Sequence, residues 1–459
     1  MSELASESWT SPPRRARASE NAVRAGAGEA LPSRRIAFAA FAGTTIEFYD
    51  FFIYGTAAAL VFGTVFFPAL GAAAGTVAAI ATFAVAFLAR PLGSVLFGHL
   101  GDRLGRKRTL IATLTLMGLA TVAVGLLPGA ATIGVAAPVL LVLLRFAQGL
   151  AVGGEWGGAA LLAAEYAPPR RRGRFTMYPQ LGPGAAFALT SATFLIIGLT
   201  MSPATFVAWG WRIPFLLSVV LLGIGLYVRL RIEETPVFRE LVARRQRSAA
   251  PLREALRRRT GPILLAGGAL SAVFAYGYIG TVHLTSYGTA VLGLPRPTML
   301  VLGVVGGIVL LIAAAVAARW SDRVGRRRVV LVGNAAAAVA GPAAFAVIDT
   351  GTVVGVAVGL SVLLGVGGFG LGPAAAWLSE LFPARYRYTA AGLAYSIAAI
   401  LGGAVPPVLA AAVQNSYGGM AVGAMLSVFG LLGLGCTLAL PETRNRSLQP
   451  AGAALPLSV

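Results

Sequence analysis

Cysteine and histidine are almost absent from this chain of 459 residues. Cys436 is the only cysteine, which excludes an intramolecular disulfide and a cysteine-based zinc site. The two histidines, His99 and His283, are too few for a histidine-rich metal site, so we expect neither a metal nor a cofactor. The sequence has no Gly-x-x-x-x-Gly-Lys-Ser/Thr phosphate-binding loop, which disfavours an ATP-driven pump. The loops carry no catalytic constellation, so the sequence predicts no enzyme.

Charge is also scarce, because only 12% of the residues are charged while 57% are hydrophobic. A soluble domain carries about 25% charged residues. The mean hydropathy is +0.78, and this surplus of apolar surface predicts a protein embedded in a lipid bilayer. The formal net charge is +20. Its basic residues lie in short loops between apolar stretches rather than on one surface, so we expect no binding to nucleic acid.

Twelve apolar stretches are long enough to cross a bilayer, whose hydrocarbon core takes about 20 helical residues. They predict an all-α membrane protein with twelve spans. The predicted spans are residues 36–63, 76–100, 109–128, 134–166, 174–200, 206–229, 261–289, 298–318, 329–349, 352–382, 389–413 and 419–440.

Positive charge is distributed unevenly between the two sides of this arrangement. Of the 37 Lys and Arg residues, 33 lie in the two tails and in the loops after spans 2, 4, 6, 8 and 10. The four others are Arg90, Arg145, Arg212 and Arg296. Because short loops rich in Lys and Arg stay in the cytoplasm, we expect both termini on the cytoplasmic side of the inner (plasma) membrane.

The chain divides into two six-span halves that flank a basic linker. The N-terminal tail is polar, has no secretory signal and predicts a disordered cytoplasmic segment. The linker stretch 239–259 predicts either a helix on the anionic inner leaflet or a solvated connection. The predicted boundaries are a tail over 1–35, an N-terminal bundle over 36–230, a linker over 231–260, a C-terminal bundle over 261–441 and a cytoplasmic tail over 442–459.

One charged phrase occurs twice, 220 residues apart. Residues 102–108 read DRLGRKR, and residues 322–328 read DRVGRRR. Spans 4 and 10 also end alike, with Glu165 and Glu380 each placed three residues before a proline. These offsets indicate two related halves. Many secondary transporters are built from such repeats, with the substrate site between them.

The paired loops resemble the signature of the major facilitator superfamily. Further phrases, taken in order, resemble its metabolite/proton symporter family, whose members carry shikimate, 2-oxoglutarate, citrate, or proline and betaine with protons. Spans 1 and 4 are most similar to the shikimate-type branch. The phrases are EFYDFF at 47–52, FLARPLG at 87–93, RFAQG at 145–149, GGEWGG at 153–158, WGWRIPF at 209–215 and EETP at 233–236.

The resemblance implies two pseudo-symmetric six-helix bundles and import of a small metabolite with a proton, by alternating access. An organic acid such as shikimate or a dicarboxylate is the expected solute, and the lipid bilayer and the proton are the other expected partners. A zwitterionic or neutral solute of the proline or betaine kind is the alternative within transport. A membrane sensor on the same scaffold is the alternative outside it. We expect a monomer.

Four ionisable residues reach the middle of the membrane in the first half, and such residues are costly enough to indicate function. Glu47 and Asp50 share one helix face, and burial beside a like charge favours uptake of a proton. Arg90 and Arg145 offer planar donor forks to a substrate carboxylate. Arg145 also resembles the superfamily arginine that is linked to proton coupling. The alternative is that the four residues neutralise one another as structural ion pairs.

Two more residues are candidates for the substrate site. Glu155 lies more than two helical turns from Arg145 among glycines, and it either lines the cavity or pairs with Arg90. Tyr276 lies near the middle of span 7 and is the best cavity candidate from the second half.

The repeated loops imply a cytoplasmic gate. By resemblance, Asp102 meets the start of span 11 near Thr389, where the helix dipole favours a carboxylate. Arg106 is expected to pair with Glu165. The second half is expected to repeat these contacts with Asp322, Arg326 and Glu380. The second copy has Ala318 and Ser321 where the first has Gly98 and Gly101, which predicts less close packing there.

Overall fold

The computed structural model describes residues 33–230, 251–444, 446 and 448. Twelve helices in this part are long and apolar enough to span a membrane, and they confirm the twelve predicted spans. We number them as the spans. They are α1 Ala40–Phe66, α2 Ala74–Leu104, α3 Lys107–Leu126, α4 Ala136–Glu165, α5 Arg172–Thr200, α6 Arg212–Leu230, α7 Leu252–Ala290, α8 Arg296–Val324, α9 Arg326–Ile348, α10 Val353–Leu381, α11 Ala384–Tyr417 and α12 Gly419–Leu438.

The helices form two bundles of six. In the first bundle α2 packs on α4, α1 on α5 and α3 on both α4 and α6. In the second bundle the same relations recur, since α8 packs on α10, α7 on α11 and α9 on both α10 and α12. The bundles meet along α5 with α8 and along α2 with α11. Because α5 is equivalent to α11 and α2 to α8, these two contacts are equivalent, and the bundles have a pseudo-twofold arrangement.

Glycines set the closest crossings, because small residues let helix backbones approach. A Cβ on Gly184 of α5 would lie 2.6 Å from the carbonyl oxygen of Gly307 on α8, and the reverse holds at the same distance. A Cβ on Gly153 of α4 would lie 2.1 Å from the Arg90 carbonyl oxygen on α2. The second crossing fixes Arg90 against α4, in the centre of the first bundle.

Irregular turns interrupt helices at equivalent places in the two halves. A π-helical turn over Ala58–Phe62 lies within α1, and another over Ile279–His283 lies within α7. In α10 the helix stops at Leu371 and resumes at Ala374, because Gly372-Pro373 interrupts it. π-turns are frequent at functional sites, and the pair in α1 and α7 faces the interface between the bundles.

The predicted linker is only partly described. Its last residues form the start of the helix Pro251–Tyr278, which has a kink with non-helical angles at Arg259. On the described segment, Glu254 makes an ion pair with Arg385 at 2.8 Å. The predicted tail over residues 1–32, the linker over 231–250 and the end of the chain after 448 lie outside the described residues.

Candidate functional site

The charged residues predicted for the membrane centre all lie inside the first bundle. Glu47 and Asp50 on α1, Arg90 on α2 and Arg145 on α4 are at most 1% exposed. The structure therefore brings the four close together in the interior of this bundle. It does not pair them, since among these described side chains no ion pair forms within 4.0 Å. The interpretation that they neutralise one another is wrong.

Asp50 lies at one end of a polar chain that crosses four helices. Its carboxylate accepts a 2.5 Å hydrogen bond from the Ser218 hydroxyl of α6 and also faces Thr121 of α3. Gln148 of α4 donates to the Thr121 hydroxyl at 2.9 Å, and Arg145 donates to the Gln148 side-chain oxygen at 3.0 Å. The chain connects the carboxylate on α1 with the guanidinium on α4.

The Arg145 guanidinium is enclosed by aromatic rings. Its central carbon lies 4.2 Å from the ring centre of Phe51, 4.1 Å from that of Tyr54 and 4.6 Å from that of Phe83. These cation–π contacts, with the hydrogen bond to Gln148, keep its charge within the first bundle. Arg145 is thus placed for the network with Asp50 rather than for direct contact across the bundle interface.

Arg90 differs from Arg145, because none of its three guanidinium nitrogens has a hydrogen-bond partner. Its central carbon lies 4.7 Å from the Phe51 ring centre and 4.6 Å from the Phe87 ring centre. The hydroxyl of Tyr278 on α7 faces it, without a hydrogen bond of normal geometry. A buried guanidinium without hydrogen-bond partners is costly, and an anionic group would relieve that cost.

Glu47 is the second unsatisfied charge, since neither of its carboxylate oxygens has a hydrogen-bond partner. Its charged neighbours are Glu155, Arg229, Arg90 and Asp50. An ionised carboxylate without hydrogen bonds is costly in such a place, whereas a protonated one is not. The environment therefore suits a group that takes up and releases a proton.

Glu155 forms a buried ion pair with Arg229 of α6, which corrects both interpretations of it from the sequence. Arg229 also donates to the Leu110 carbonyl of α3. From the sequence Arg229 was counted among the linker charges outside the membrane. The structure buries it because its side chain turns back into the bundle from the last turn of α6. Glu155 does not pair with Arg90. It also does not line the central cavity described next.

A small cavity of about 40 Å³ lies between the bundles. A volume of about 10–15 Å³ holds one water, so this cavity has room for only a few molecules of that size. Its walls are mainly apolar and aromatic. They are formed by Phe48, Phe52, Pro183, Val273, Phe274, Gly277, Tyr278, Thr281, Leu310, Gly367, Leu371 and Tyr395.

Tyr276 does not line this cavity, and the residue in that role is Tyr278. The Tyr276 hydroxyl donates to the Ala337 carbonyl on α9, inside the second bundle. Two residues along a helix point to nearly opposite faces, so only one of the two tyrosines can face the interface. Phe274, Tyr278 and Thr281 have the helical spacing that would have identified the correct face.

The floor of the cavity, on the side of the repeated basic loops, is made by contacts across the bundles. The Trp156 ring of α4 stacks on the Tyr395 ring of α11 with centres 3.6 Å apart and planes 4° from parallel. The Trp156 indole N–H donates to Gln180 at 3.1 Å, and Gln180 donates to the Leu371 carbonyl at 2.8 Å. Motif reasoning did not identify Gln180.

Below this floor, Asp102 holds the start of α11. Its carboxylate accepts hydrogen bonds from the Thr389 hydroxyl at 2.8 Å and from the Thr389 backbone N–H at 3.3 Å, as the resemblance implied. The adjacent Tyr388 hydroxyl donates to the Gly154 carbonyl at 2.5 Å. A Cβ at Gly101 would lie 2.6 Å from the Tyr388 ring, so this glycine is required by the close approach.

Asp322 makes the equivalent contact with the start of α5. Its carboxylate accepts from the backbone N–H groups of Gly173 and Arg174, both at 2.8 Å. Arg326 donates to the same carboxylate at 2.7 Å and lies 3.4 Å from Glu380. The helix dipole favours a carboxylate at each of these N-termini.

The second contact is as close as the first, so the prediction of looser packing there is wrong. A Cβ on Gly173 would lie 2.5 Å from the Ala318 carbonyl oxygen and 2.8 Å from the Ser321 hydroxyl oxygen. In the second contact, the glycine that permits the close approach is Gly173 on α5, whereas in the first contact it lies on the helix that carries the aspartate. Substitution of Gly98 and Gly101 by larger residues in the second copy is compensated in this way.

Two further ion pairs cross the interface reciprocally. Arg172, at the start of α5, lies 3.4 Å from Glu380 at the end of α10. Arg387, at the start of α11, lies 3.4 Å from Glu165 at the end of α4. The two arginines are 215 residues apart, as are the two glutamates, and this shared offset is the signal that would have identified both arginines. We call these pairs and the Asp102 and Asp322 contacts the cytoplasmic gate, after the role and the side of the membrane predicted from the sequence.

The predicted partner of Glu165 was Arg106. The structure gives Glu165 the ion pair with Arg387. The side chain of Arg106 lies outside the described residues, so its role stays a prediction.

The segment after α12 also contacts the gate. Arg172 donates to the Arg446 carbonyl at 2.5 Å, and Arg387 donates to the Leu448 carbonyl at 3.0 Å. The Leu448 side chain is buried. This segment therefore contacts a gating arginine from each bundle.

Twelve membrane spans in two equivalent bundles, closed on one side below a buried charged centre, define a transporter of the major facilitator superfamily. The family model described as sugar (and other) transporter matches residues 36–263 and 256–454. The chain belongs to this family. It is a membrane transporter of metabolites and not an enzyme.

Curated relatives match along most of their length. The inner membrane metabolite transport protein YhjE of Escherichia coli (strain K12) is 43% identical over 90% of this chain and 95% of the relative. The shikimate transporter of the same strain is 40% identical over 84% of this chain and 89% of the relative. The proline/betaine transporter of that strain is 34% identical over 92% of this chain and 86% of the relative.

A solved structure has the same fold. The proton:xylose symporter XylE, bound to 6-bromo-6-deoxy-D-glucose, superposes with a TM-score of 0.71 over 91% of this chain and 97% of XylE. The sequence identity is 19%, so this likeness confirms the two-bundle fold alone.

Proposed function

We propose that this protein imports a small organic acid together with a proton, by alternating access. The observation that carries the proposal is the buried Arg90 guanidinium, which has no hydrogen-bond partner and faces the aromatic wall of the central cavity. A substrate carboxylate would satisfy it. Similarity to a shikimate transporter supports the substrate class.

The proton sites proposed are Asp50 and Glu47, with Arg145 as the partner of Asp50 through Gln148 and Thr121. A carboxylate that is fully buried costs free energy when it is ionised and little when it is protonated. Protonation during import would therefore neutralise the centre while the bundles move. The hydrogen bond from Ser218 positions Asp50 for this role, and Thr121 faces the same carboxylate.

The cytoplasmic gate would open and close in each cycle. Its contacts join helix ends from opposite bundles, so they must break for the site to face the cytoplasm. Asp102, Asp322, Arg326, Glu165 and Glu380 would hold the closed state. The proposed setting is the inner membrane, with both termini cytoplasmic and one chain per transporter.

The proposal is tested by uptake into proteoliposomes. Labelled shikimate, 2-oxoglutarate, citrate, proline and betaine would be offered with and without an inward proton gradient. Gradient-dependent accumulation of an acid, abolished by a protonophore, would support the proposal. Accumulation of a solute independent of the gradient would contradict proton coupling.

A second candidate substrate is a betaine-like zwitterion. Five aromatic side chains line the central cavity, namely Phe48, Phe52, Phe274, Tyr278 and Tyr395. Aromatic rings bind quaternary ammonium groups through their negative faces. In the same uptake assay, this candidate predicts that betaine accumulates and shikimate does not.

A further inference from the structure

We infer that the central site accepts one carboxylate per substrate molecule and rejects solutes with two. This inference rests on the proposed function, because it names the substrate class of the same site. It selects between the organic acids that the sequence left open, where a monocarboxylate and a dicarboxylate were equally acceptable.

Three described arginines are buried in the first bundle near the membrane centre, namely Arg90, Arg145 and Arg229. Arg229 is neutralised by Glu155. Arg145 has no partner for its Nε and Nη2, but three aromatic rings enclose its guanidinium, and its Nη1 donates to Gln148. Arg90 remains, with all three nitrogens unsatisfied. Among the buried central arginines that the structure describes, Arg90 alone has its full donor fork available for a substrate carboxylate.

The rest of the substrate would lie against the wall of the central cavity. Nine of the twelve lining residues have no polar side-chain atom, and the other three are Tyr278, Thr281 and Tyr395. None of the twelve is charged. Hydroxyl groups on a substrate would find partners on this wall. A second carboxylate would be desolvated without a cationic partner, which is strongly unfavourable.

Tyr278 lies between the cavity and Arg90. Its ring centre lies 4.9 Å from that of Phe87 and 5.9 Å from that of Phe51, the two rings that contact Arg90. The same side chain lines the cavity. A carboxylate that enters from the cavity and reaches Arg90 must pass the Tyr278 hydroxyl, which is available to donate to it. Tyr278 is thus assigned as a substrate-positioning residue of the second bundle.

The charge of Glu47 also acts on a bound substrate. It lies within electrostatic reach of Arg90 and beside Glu155 and Asp50. Whenever Glu47 is ionised, it repels negative charge on a bound solute. One carboxylate can be balanced by Arg90, whereas a second adds repulsion, because the other central cation without an acidic partner, Arg145, is enclosed by aromatic rings inside the first bundle.

The test measures binding to the purified, detergent-solubilised protein, without a proton gradient. Trp156 stacks on a residue that lines the cavity, so intrinsic tryptophan fluorescence is a suitable signal. The probes are shikimate, cyclohexene-1-carboxylate, its carboxamide, cyclohexane-1,4-dicarboxylate, 2-oxoglutarate and glycine betaine. We expect at least one of the three monocarboxylate probes to bind at least tenfold more tightly than both dicarboxylates, and the carboxamide to bind at least tenfold more weakly than its acid.

Variants connect the selectivity to the assigned residues. Arg90→Gln should abolish the preference for the acid over the carboxamide. Tyr278→Phe should weaken acid binding about tenfold, which corresponds to ~1.4 kcal/mol. The matched control is Arg296→Gln, since Arg296 is an exposed arginine at the outer start of α8. That control should bind like the unmodified protein.

Several results would overturn the inference. They are dicarboxylate binding as tight as monocarboxylate binding, equal binding of the acid and the carboxamide, and failure of every monocarboxylate to bind. Preferential binding of betaine or of the ring acid would each support it, and would tell whether the body of the substrate is cationic or neutral. Selective binding without gradient-driven uptake would contradict the proposed coupling while leaving the inference intact.

Discussion

The two bundles share one architecture but differ in what they bury at the membrane centre. The first contains Glu47, Asp50, Arg90, Arg145 and Glu155. In the described part of the second, the buried Asp, Glu and Arg residues are Arg326, Glu380 and Arg387, at the helix ends that form the gate. The two halves nevertheless match closely at the gate, where Asp102 corresponds to Asp322 and the two reciprocal ion pairs correspond to each other. The duplicated halves thus retain equivalent gating contacts, while one half carries the charges and the other supplies an aromatic wall.

The largest expected effect comes from removing the proposed proton site. Asp50→Asn should abolish gradient-driven accumulation, because an amide cannot carry the proton. The protein should remain in the membrane, since the span loses only a charge. Accumulation would be measured in proteoliposomes, with exchange of labelled for unlabelled substrate as the control for a working site. Uphill uptake by this variant would exclude Asp50 from coupling.

The next effect separates a structural pair from the transport residues. Glu155→Gln should leave Arg229 buried without its partner and destabilise the protein by about 3–5 kcal/mol, the usual cost of breaking a buried pair. The double variant Glu155→Gln with Arg229→Gln should recover part of this loss. Denaturant unfolding in detergent, where it is reversible, measures the change. Equal stability of the single variant and the unmodified protein would show that the pair is not structural.

The gate is predicted to respond alike in both halves. Arg172→Ala and Arg387→Ala each remove one of the two reciprocal pairs, so both should favour the state that is open to the cytoplasm, with effects that agree within about threefold. Because Cys436 is the only cysteine, a Cys436→Ser background permits one reporter, Val273→Cys, in the cavity wall.

The readout is the rate at which a membrane-impermeant thiol reagent labels the reporter from the cytoplasmic side of inverted vesicles. Arg385→Ala is the matched control, because Arg385 lies beside the gate and pairs with the linker residue Glu254 instead. Faster labelling in only one of the two gate variants would break the proposed symmetry.

The smallest effect distinguishes the two tyrosines of α7. Tyr276→Phe should lower stability by about 1 kcal/mol, the net value of one hydrogen bond, and leave the half-saturating substrate concentration unchanged. Tyr278→Phe should raise that concentration. Uptake measured over a range of substrate concentrations compares the two variants. A change in the Tyr276 variant alone would restore the prediction made from the sequence.

The sequence predicted the fold well because a bilayer allows few solutions. Long apolar runs must be helices there, and the distribution of Lys and Arg sets their direction. It also located Asp102 and Asp322, since repetition at a fixed offset is visible without a structure. The four charges at the membrane centre were found because each is costly within an apolar run.

Side-chain direction was the part that the sequence could not supply. Arg229 lies at the end of a span and was assigned to the basic linker, although it turns inward to Glu155. Tyr276 and Tyr278 have similar depth, and only the phase of α7 separates them. The polar chain from Asp50 to Arg145 passes through Thr121 and Gln148, whose roles depend on packing between helices.

The most direct test of the central claim follows protons and substrate together. A monocarboxylate identified by the uptake assay would be added to lightly buffered proteoliposomes while the external pH is recorded. The account predicts alkalinisation that depends on the substrate in the unmodified protein and no alkalinisation with Asp50→Asn. Substrate entry without proton uptake in the unmodified protein, or equal proton uptake in the variant, would contradict it.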